Sequence, residues 1–363
     1  MCMQTKHLHQ KRQGKTTKRY VFFINAAYCY SIYRPLQEKI IQQGHKAAWF
    51  FAKGTPVALL PNETLLANEQ EVKEFAPDVM FGAGDWVPYY LPGLKVMLFH
   101  GLSINKRGSK NNAHFNVRGW YDLYCTHADH DTHTFKQLAD KHKNFYVRKT
   151  GWPKLDLLFK QQKDHNEKIP ANIKTLFFAS TFSPSITAAP AVADELKRIS
   201  NLSDWKVLAT LHPLMAPDVM EKYVSMQDEN FIFLAPDADL YAAMAQADVM
   251  LCDTSSIMYE FMFLNKPVVT LNTKNPGPFL TDVHSASEVF AAIEHVTDDA
   301  TTQLSAAQAV CKELHSYSDG ESSLRVLAAV DEVLSEGLTK LKKKPFNLVR
   351  KLKLRKRLGY WKI

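Results

Sequence analysis

DVMLCDTSSIMYEFMFLNKPVVTL, residues 248–271, reads as strand, helix, strand. DVMLC (248–252) is a short continuous apolar run. Four small polar residues follow, Asp253-Thr254-Ser255-Ser256, and open an apolar helix ending near Asn265. PVVTL (267–271) is a second apolar run. Strands covered on both faces read as continuous apolar runs, and a helix between two of them makes them parallel. The unit is β-α-β.

The same alternation extends in both directions. In the second half, KTLFFAS (174–180), WKVLATL (205–211) and FIFL (231–234) read as strands. In the first half the candidates are YVFFIN (20–25), KAAWFF (46–51), PDVMFG (77–82), KVMLFH (95–100), DLYC (122–125) and FYVRKT (145–150). YRPLQEKIIQQG lies between two of them and ends on Gly44, as a helix C-terminus does. Residues 285–339 read as helical throughout. KQQKDHNEKIPANI is polar and charged and contains proline, so it reads as a linker near 158–172. The expectation is an α/β chain with two Rossmann-like domains facing a cleft. Residues 20–157 form an acceptor-side domain and 158–339 a donor-nucleotide domain. A basic extension (1–19) and a basic tail (340–363) flank them.

A chain of 363 residues suits two such domains. Its 46% hydrophobic and 23% charged residues exclude disordered, collagen-like and disulfide-scaffold classes. The net charge of +8 is unevenly placed. Residues 1–19 hold six Lys/Arg and residues 340–363 hold eleven, with no acid in either. Between them stand 28 basic and 37 acidic residues, a balance of −9. An acidic body repels a polyanion, so nucleic acid is not expected as a partner. Cys2, Cys29, Cys125, Cys252 and Cys311 are scattered without CxxC spacing, which fits neither a disulfide framework nor a zinc site and suits a reducing cytoplasm. No run approaches the length of a spanning helix. VFFINAAYCYSIY after the basic start loosely resembles a signal peptide. Asn25 interrupts it and no clean cleavage site follows, so a buried first strand is the preferred reading.

In open parallel sheets ligands sit beyond the carboxyl ends of the strands. His100 and Gly101 directly follow KVMLF. A histidine there suits a general base, and Gly101 lets the backbone turn close to a ligand. His212-Pro213 occupies the same kind of edge after WKVLATL. Asp253, Thr254, Ser255 and Ser256 open a helix, where amide N–H groups and hydroxyls suit an anion such as phosphate. Ser180 and Thr181 follow KTLFFAS and offer further hydroxyls. In TGWPKLD (150–156), Gly151 and Pro153 shape a crossover and Lys154 can face the cleft. Each has a plainer alternative: loop histidines, ordinary helix capping, a hydroxyl-stabilised turn, a structural hinge. GxGxxG after the first strand, GxxxxGK[ST], HExxH and GxSxG are absent, and a divalent metal site is not evident from the sequence.

In KLKKKPFNLVRKLKLRKRLGYWKI, Phe346, Val349, Leu352, Leu354, Leu358 and Trp361 recur at helical spacing. Among them stand Lys342, Lys343, Lys344, Arg350, Lys351, Arg355, Lys356 and Arg357. A cationic amphipathic segment of this kind lies in an anionic membrane interface with Trp361 as an anchor. The alternative is a solvated tail.

Taken in order, HG (100–101), TGWPKLD (150–156), FFASTF (177–182), LHP (211–213), residues 238–269 and DGESSLR (319–325) resemble the CDP-glycerol glycerophosphotransferase family. That family contains teichoic-acid primases and polymerases with a GT-B-like fold. The resemblance covers residues 78 to 330. It implies glycerol phosphate transfer from CDP-glycerol to a hydroxyl of a glycan or lipid-linked acceptor, with release of CMP. It implies no tightly bound cofactor, and a cytoplasmic enzyme peripheral on the inner face of the cell membrane. By position, His100 is similar to the base that activates the acceptor. His212 is similar to the histidine that contacts the donor pyrophosphate. Thr181, Thr254, Ser255 and Ser256 fall where the family holds donor phosphates. Thr254 stands where the family often has tyrosine, and Lys154 and Ser183 stand at or near its arginines. Two readings compete: a GT-B glycosyltransferase using a UDP- or CMP-activated sugar, and a membrane-surface scaffold without activity.

Overall fold

The computed structural model describes residues 17–103, 113–166, 173–235 and 238–361. The basic stretch 1–16 and the end of the expected linker, 167–172, lie outside them. The first sheet has seven strands: β1 (Arg19–Ile24), β2 (Lys46–Phe51), β3 (Leu65–Leu66), β4 (Val79–Gly82), β5 (Leu94–Met97), β6 (Leu123–Thr126) and β7 (Tyr146–Lys149). The second has six: β8 (Lys174–Ser180), β9 (Trp205–Leu211), β10 (Phe231–Phe233), β11 (Val249–Cys252), β12 (Val268–Leu271) and β13 (Thr281–Val283). The strand orders are β3-β2-β1-β4-β5-β6-β7 and β10-β9-β8-β11-β12-β13. Every pairing is parallel. Both sheets reverse direction of growth once, between β1 and β4 and between β8 and β11. A crevice opens at such a point because successive helices leave on opposite faces.

The continuous apolar runs are buried as read. Val21 to Ile24, Val79 to Phe81, Leu176 to Phe178 and Val249 to Cys252 are all covered. The helices that cover them are α1 (Cys29–Gln42), α2 (Glu69–Phe75), α3 (Asp129–His142), α4 (Lys154–Asn166), α5 (Ala189–Ser200) and α6 (Pro217–Ser225). They continue with α7 (Leu240–Gln246), α8 (Ile257–Met262), α9 (Ala286–Asp298), α10 (Thr301–Leu314), α11 (Ser322–Glu336) and α12 (Leu348–Leu358). Local capping explains several starts. The Asn68 side chain accepts the Glu71 N–H at α2, and Ser285 with Glu288 forms a capping box at α9.

Three expectations need correction. The linker near 158–172 is largely helix: α4 runs from Lys154, and Leu155, Leu158 and Phe159 are buried in the core shared by both halves. The helical end is interrupted between Leu314 and Ser322, and α11 packs back on α1 and β6 of the first sheet. The return begins well before residue 339. Third, the basic tail is not free. Leu354 and Leu358, one turn apart on α12, are buried in the core of the first sheet. The Lys344 ammonium lies 2.5 Å from Asp122 and donates to the Trp120 carbonyl. Asn347 donates to the Arg118 carbonyl, Arg355 to the Tyr89 hydroxyl, and Tyr360 stacks on Tyr90. Burying two leucines contributes about 1.5–3 kcal/mol each. The segment is therefore part of the first lobe's fold. Phe346, Val349, Leu352 and Trp361 remain exposed.

Candidate active site

Asp253 organises the second sheet's edge. It follows β11 and its carboxylate is fully buried. One oxygen accepts from the Ser180 hydroxyl (2.6 Å), the Thr181 N–H (2.9 Å) and the Ala188 N–H (3.2 Å). The other has no hydrogen-bond partner among the described residues. Burial pushes the carboxyl upward, and the three donors oppose that rise. Asp253 thus ties the loop after β8 to the end of β11, across the point where strand order reverses. Ser180 is buried in the same latch and also bonds Thr187. Both were expected to touch phosphate; they position the loop that would.

His212 follows β9 and is exposed. Its amide donates to the Ser180 carbonyl, which joins it to the latch. Its Nδ1 accepts the Leu214 N–H at 3.1 Å. An accepting Nδ1 puts the neutral ring's proton on Nε2, so His212 presents a donor. Thr254 accepts the Lys274 N–H on its hydroxyl oxygen (2.9 Å), which leaves its O–H free to donate. Ser256 stands at the start of α8 without a capping bond from its side chain. The helix expected to run to Asn265 is shorter: α8 ends at Met262. Its dipole is correspondingly small, so any anion held here would depend more on the hydroxyls and His212 than on the helix start.

His100 stands beyond β5, and the backbone before it is strained. Phe99 has φ of 55° although it is neither glycine nor exposed. A left-handed aromatic residue costs about 1–3 kcal/mol and persists where packing over-determines it. The Phe99 ring stacks on His114 at 4.5 Å and meets His127 edge-on, and its carbonyl accepts Trp152 Nε1–H. The kink turns His100 out to solvent. His100 Nδ1 lies 3.2 Å from the Ala83 carbonyl. A carbonyl can only accept, so in the neutral ring Nδ1 carries the proton and Nε2 keeps its lone pair. His100 and His212 therefore hold opposite tautomers: the first presents a base, the second a donor. A Cβ added at Gly101 would meet open space.

Gly151 and Lys154 serve the crossover between the lobes. Gly151 has φ of +79°, and a Cβ there would lie 2.5 Å from Ser322 Oγ and 2.8 Å from His315 Nε2. His315 Nε2 accepts the Trp152 N–H at 2.8 Å, and Asp156 accepts both the Ser322 and Ser323 N–H groups. The two chain crossings are tied together here, so Gly151 is needed for protein packing rather than for a ligand. Lys154 pairs with Glu260 at 2.7 Å, and the Tyr241 hydroxyl donates to the same carboxylate. Its ion pair ties the start of α4 to α8.

Two residues near the first sheet's edge carry no motif of their own. Tyr28 lies beside His100 with ring centroids 5.2 Å apart. Asn25 follows β1, and a Cβ at Gly84 would meet its amide at 2.4 Å. Asn25 was visible as the polar break after an apolar strand, the same signal that picked out His100. Among the described residues no cluster of His, Cys, Asp or Glu could hold a metal ion. A cavity of about 330 Å³ lies between α1, α4 and the loop before α11; none of the candidate residues lines it.

Burial pushes His127 down to about 3, despite the nearby Asp131 carboxylate, and His315 down to about 4. Both are held neutral in the fold, while the unfolded chain protonates them near 6.5. Their contribution to stability is therefore present above pH 6.5 and is lost as pH falls toward the folded values. At pH 5 each should cost about 2 kcal/mol. Urea midpoints at pH 7.5 and pH 5 should differ accordingly, and His127→Phe should shrink the difference. An identical acid shift in that variant would exclude His127 as a source.

Residues 95–332 match the family described as CDP-Glycerol:Poly(glycerophosphate) glycerophosphotransferase. Two curated relatives come from Bacillus spizizenii. A teichoic acid ribitol-phosphate primase is 25% identical over 187 residues, 45% of this chain and 45% of that protein. A teichoic acid glycerol-phosphate primase is 20% identical over 265 residues, 64% of this chain and 66% of that protein. The matches thus span about half to two thirds of these relatives' lengths. Among solved structures, the wall teichoic acid polymerase TagF superposes with a TM-score of 0.57 at 16% identity, covering 88% of this chain and 90% of that one. The UDP-GlcNAc 2-epimerase from Neisseria meningitidis bound to UDP-GlcNAc superposes with a TM-score of 0.55 at 13% identity, covering 86% and 100%. At these identities the superpositions establish the shared GT-B-like architecture. Because the family match covers most of the chain and carries both histidine-bearing edges, this chain belongs to the CDP-glycerol:poly(glycerophosphate) glycerophosphotransferase family.

Proposed function

We propose that this chain transfers glycerol phosphate from CDP-glycerol to a hydroxyl of a glycan or lipid-linked acceptor, releasing CMP, in the synthesis of a cell-surface polymer. The observation that carries this is the pair of opposite tautomers, a base at His100 and a donor at His212, each at a strand's carboxyl edge. The acceptor O–H gives its proton to His100 Nε2 as its oxygen attacks the β-phosphorus. The bond from that phosphorus to the bridging oxygen breaks, and CMP leaves with the oxygen and both electrons of the bond. His212 Nε2–H and the hydroxyls of Thr181, Thr254, Ser255 and Ser256 donate to the phosphate oxygens. Phosphoryl transfer needs mainly positioning and charge stabilisation, which such donors supply.

The competing donor is a UDP- or CMP-activated sugar. Titrating CDP-glycerol, CDP-ribitol, UDP-GlcNAc and CMP by calorimetry separates the readings. Tighter binding of CDP-glycerol than of UDP-GlcNAc is expected; the reverse order would favour a glycosyltransferase.

The reading includes an enzyme peripheral on the inner face of the cell membrane. Exposed Phe346, Val349, Leu352 and Trp361 stand among exposed cations, as an anionic bilayer surface favours. No helix among the described residues is long and apolar enough to cross a membrane. Deleting 340–363 is a poor test, because it removes Leu354 and Leu358 from the core. Replacing Phe346, Val349 and Leu352 with serine leaves that core intact. The variant should lose binding to phosphatidylglycerol vesicles at least tenfold, at about 0.8 kcal/mol per buried CH₂, and keep turnover on a soluble acceptor. Undiminished vesicle binding would remove this surface from the membrane reading.

A further inference from the structure

Trp152 stands where three parts of the molecule meet. It lies on the crossover between β7 and α4 and is buried. Its backbone N–H donates to His315 Nε2 at 2.8 Å, and His315 directly follows α10 on the chain's return to the first lobe. Its indole Nε1–H reaches into the first lobe and donates to the Phe99 carbonyl at 3.3 Å. Phe99 is the left-handed residue with φ of 55°, and His100 comes next in the chain. The Lys154 ammonium lies 5.2 Å from the Trp152 ring centre and pairs with Glu260 of α8. α8 starts directly after Ser256, so these contacts run without a gap from the donor edge to the His100 edge.

We infer that Trp152 is a positioning residue: its indole N–H fixes the peptide unit between Phe99 and His100 and so holds the imidazole in register with the donor lobe. The inference rests on the reading of His100 as the base. The Phe99 carbonyl and the His100 amide belong to one planar unit. A donor bound to that carbonyl sets the rotation of the plane, and with it the direction in which His100 leaves the chain. A left-handed aromatic residue is strained and persists only where its surroundings over-determine it. The rings of His114 and His127 pack on the Phe99 side chain, and the indole holds its backbone. Trp152 is in turn tied to the return crossing by His315 and covered by Lys154. The base therefore takes its position from the hinge as well as from its own sheet.

The test replaces Trp152 in the full chain with 3-benzothienylalanine, in which sulfur stands in for the ring N–H and the ring shape is kept. With a soluble glycan acceptor, kcat for transfer from CDP-glycerol should fall about tenfold while the CDP-glycerol KM stays unchanged. Trp152→Phe, a second variant that also lacks the N–H, should show the same split between kcat and KM. Each change is then repeated in the His100→Ala background. A residue that acts through His100 costs nothing further there, whereas general loosening of the fold adds its full loss again. A native kcat in the benzothienyl variant, or a full further loss in the His100→Ala background, would overturn the inference. The two readings fail separately. A near-native rate in His100→Ala removes the base role itself, and a slow His100→Ala beside a native benzothienyl variant removes Trp152 alone.

Discussion

His100→Ala is expected to slow glycerol phosphate transfer by about 10²–10⁴-fold, the usual contribution of a positioned general base. CDP-glycerol affinity should hold, because His100 belongs to the first sheet and the donor groups to the second. The fold should also hold. The His100 ring is exposed and, among the described residues, its hydrogen bond is to the Ala83 carbonyl, while the kink beneath it is fixed by Phe99, His114, His127 and Trp152. A variant with near-native rate would take the base role away from His100.

Asp253→Ala is expected to act first on stability. Ser180 Oγ–H, Thr181 N–H and Ala188 N–H would all lose their acceptor in a buried place. Each stranded donor costs about 1–3 kcal/mol, so a loss of about 3 kcal/mol or more is expected. Donor affinity should fall with it, because the carbonyl of Ser180 also receives the His212 amide and Thr181 loses its tether. A chemical denaturation midpoint and a CDP-glycerol titration read the two effects. If Asp253 instead touched the donor directly, affinity would collapse while the midpoint stayed in place. That outcome would contradict the latch.

Continuous apolar runs located nearly all the strands because a parallel sheet covered on both faces tolerates few polar interruptions. β3 and β13 escaped for a physical reason. They are edge strands of two and three residues, and β13 carries Asp282, whose carboxylate bonds Thr270 and the Thr273 amide. The polar residues after strands were legible as edge residues. Their roles were not, because strand position fixes which edge a residue occupies but not whether its side chain turns inward. Asp253 and Thr254 are neighbours; one is buried in a latch and the other keeps a free O–H. Lys154 was legible as a crossover residue, but its partner Glu260 lies more than a hundred positions away. The C-terminal segment shows the same limit. A basic amphipathic helix fits a lipid surface and an aromatic protein face equally well by pattern. Asp122, Tyr89, Tyr90 and the pocket for Leu354 and Leu358, set by long-range folding, decide which side faces inward.

The most direct measurement incubates the purified chain with CDP-glycerol labelled in the glycerol and with a soluble glycan acceptor, following both products. CMP and labelled acceptor should appear in equal amounts, and both should vanish in His100→Ala. CMP without labelled acceptor, or labelled acceptor formed only when a UDP-sugar replaces CDP-glycerol, would contradict the transfer.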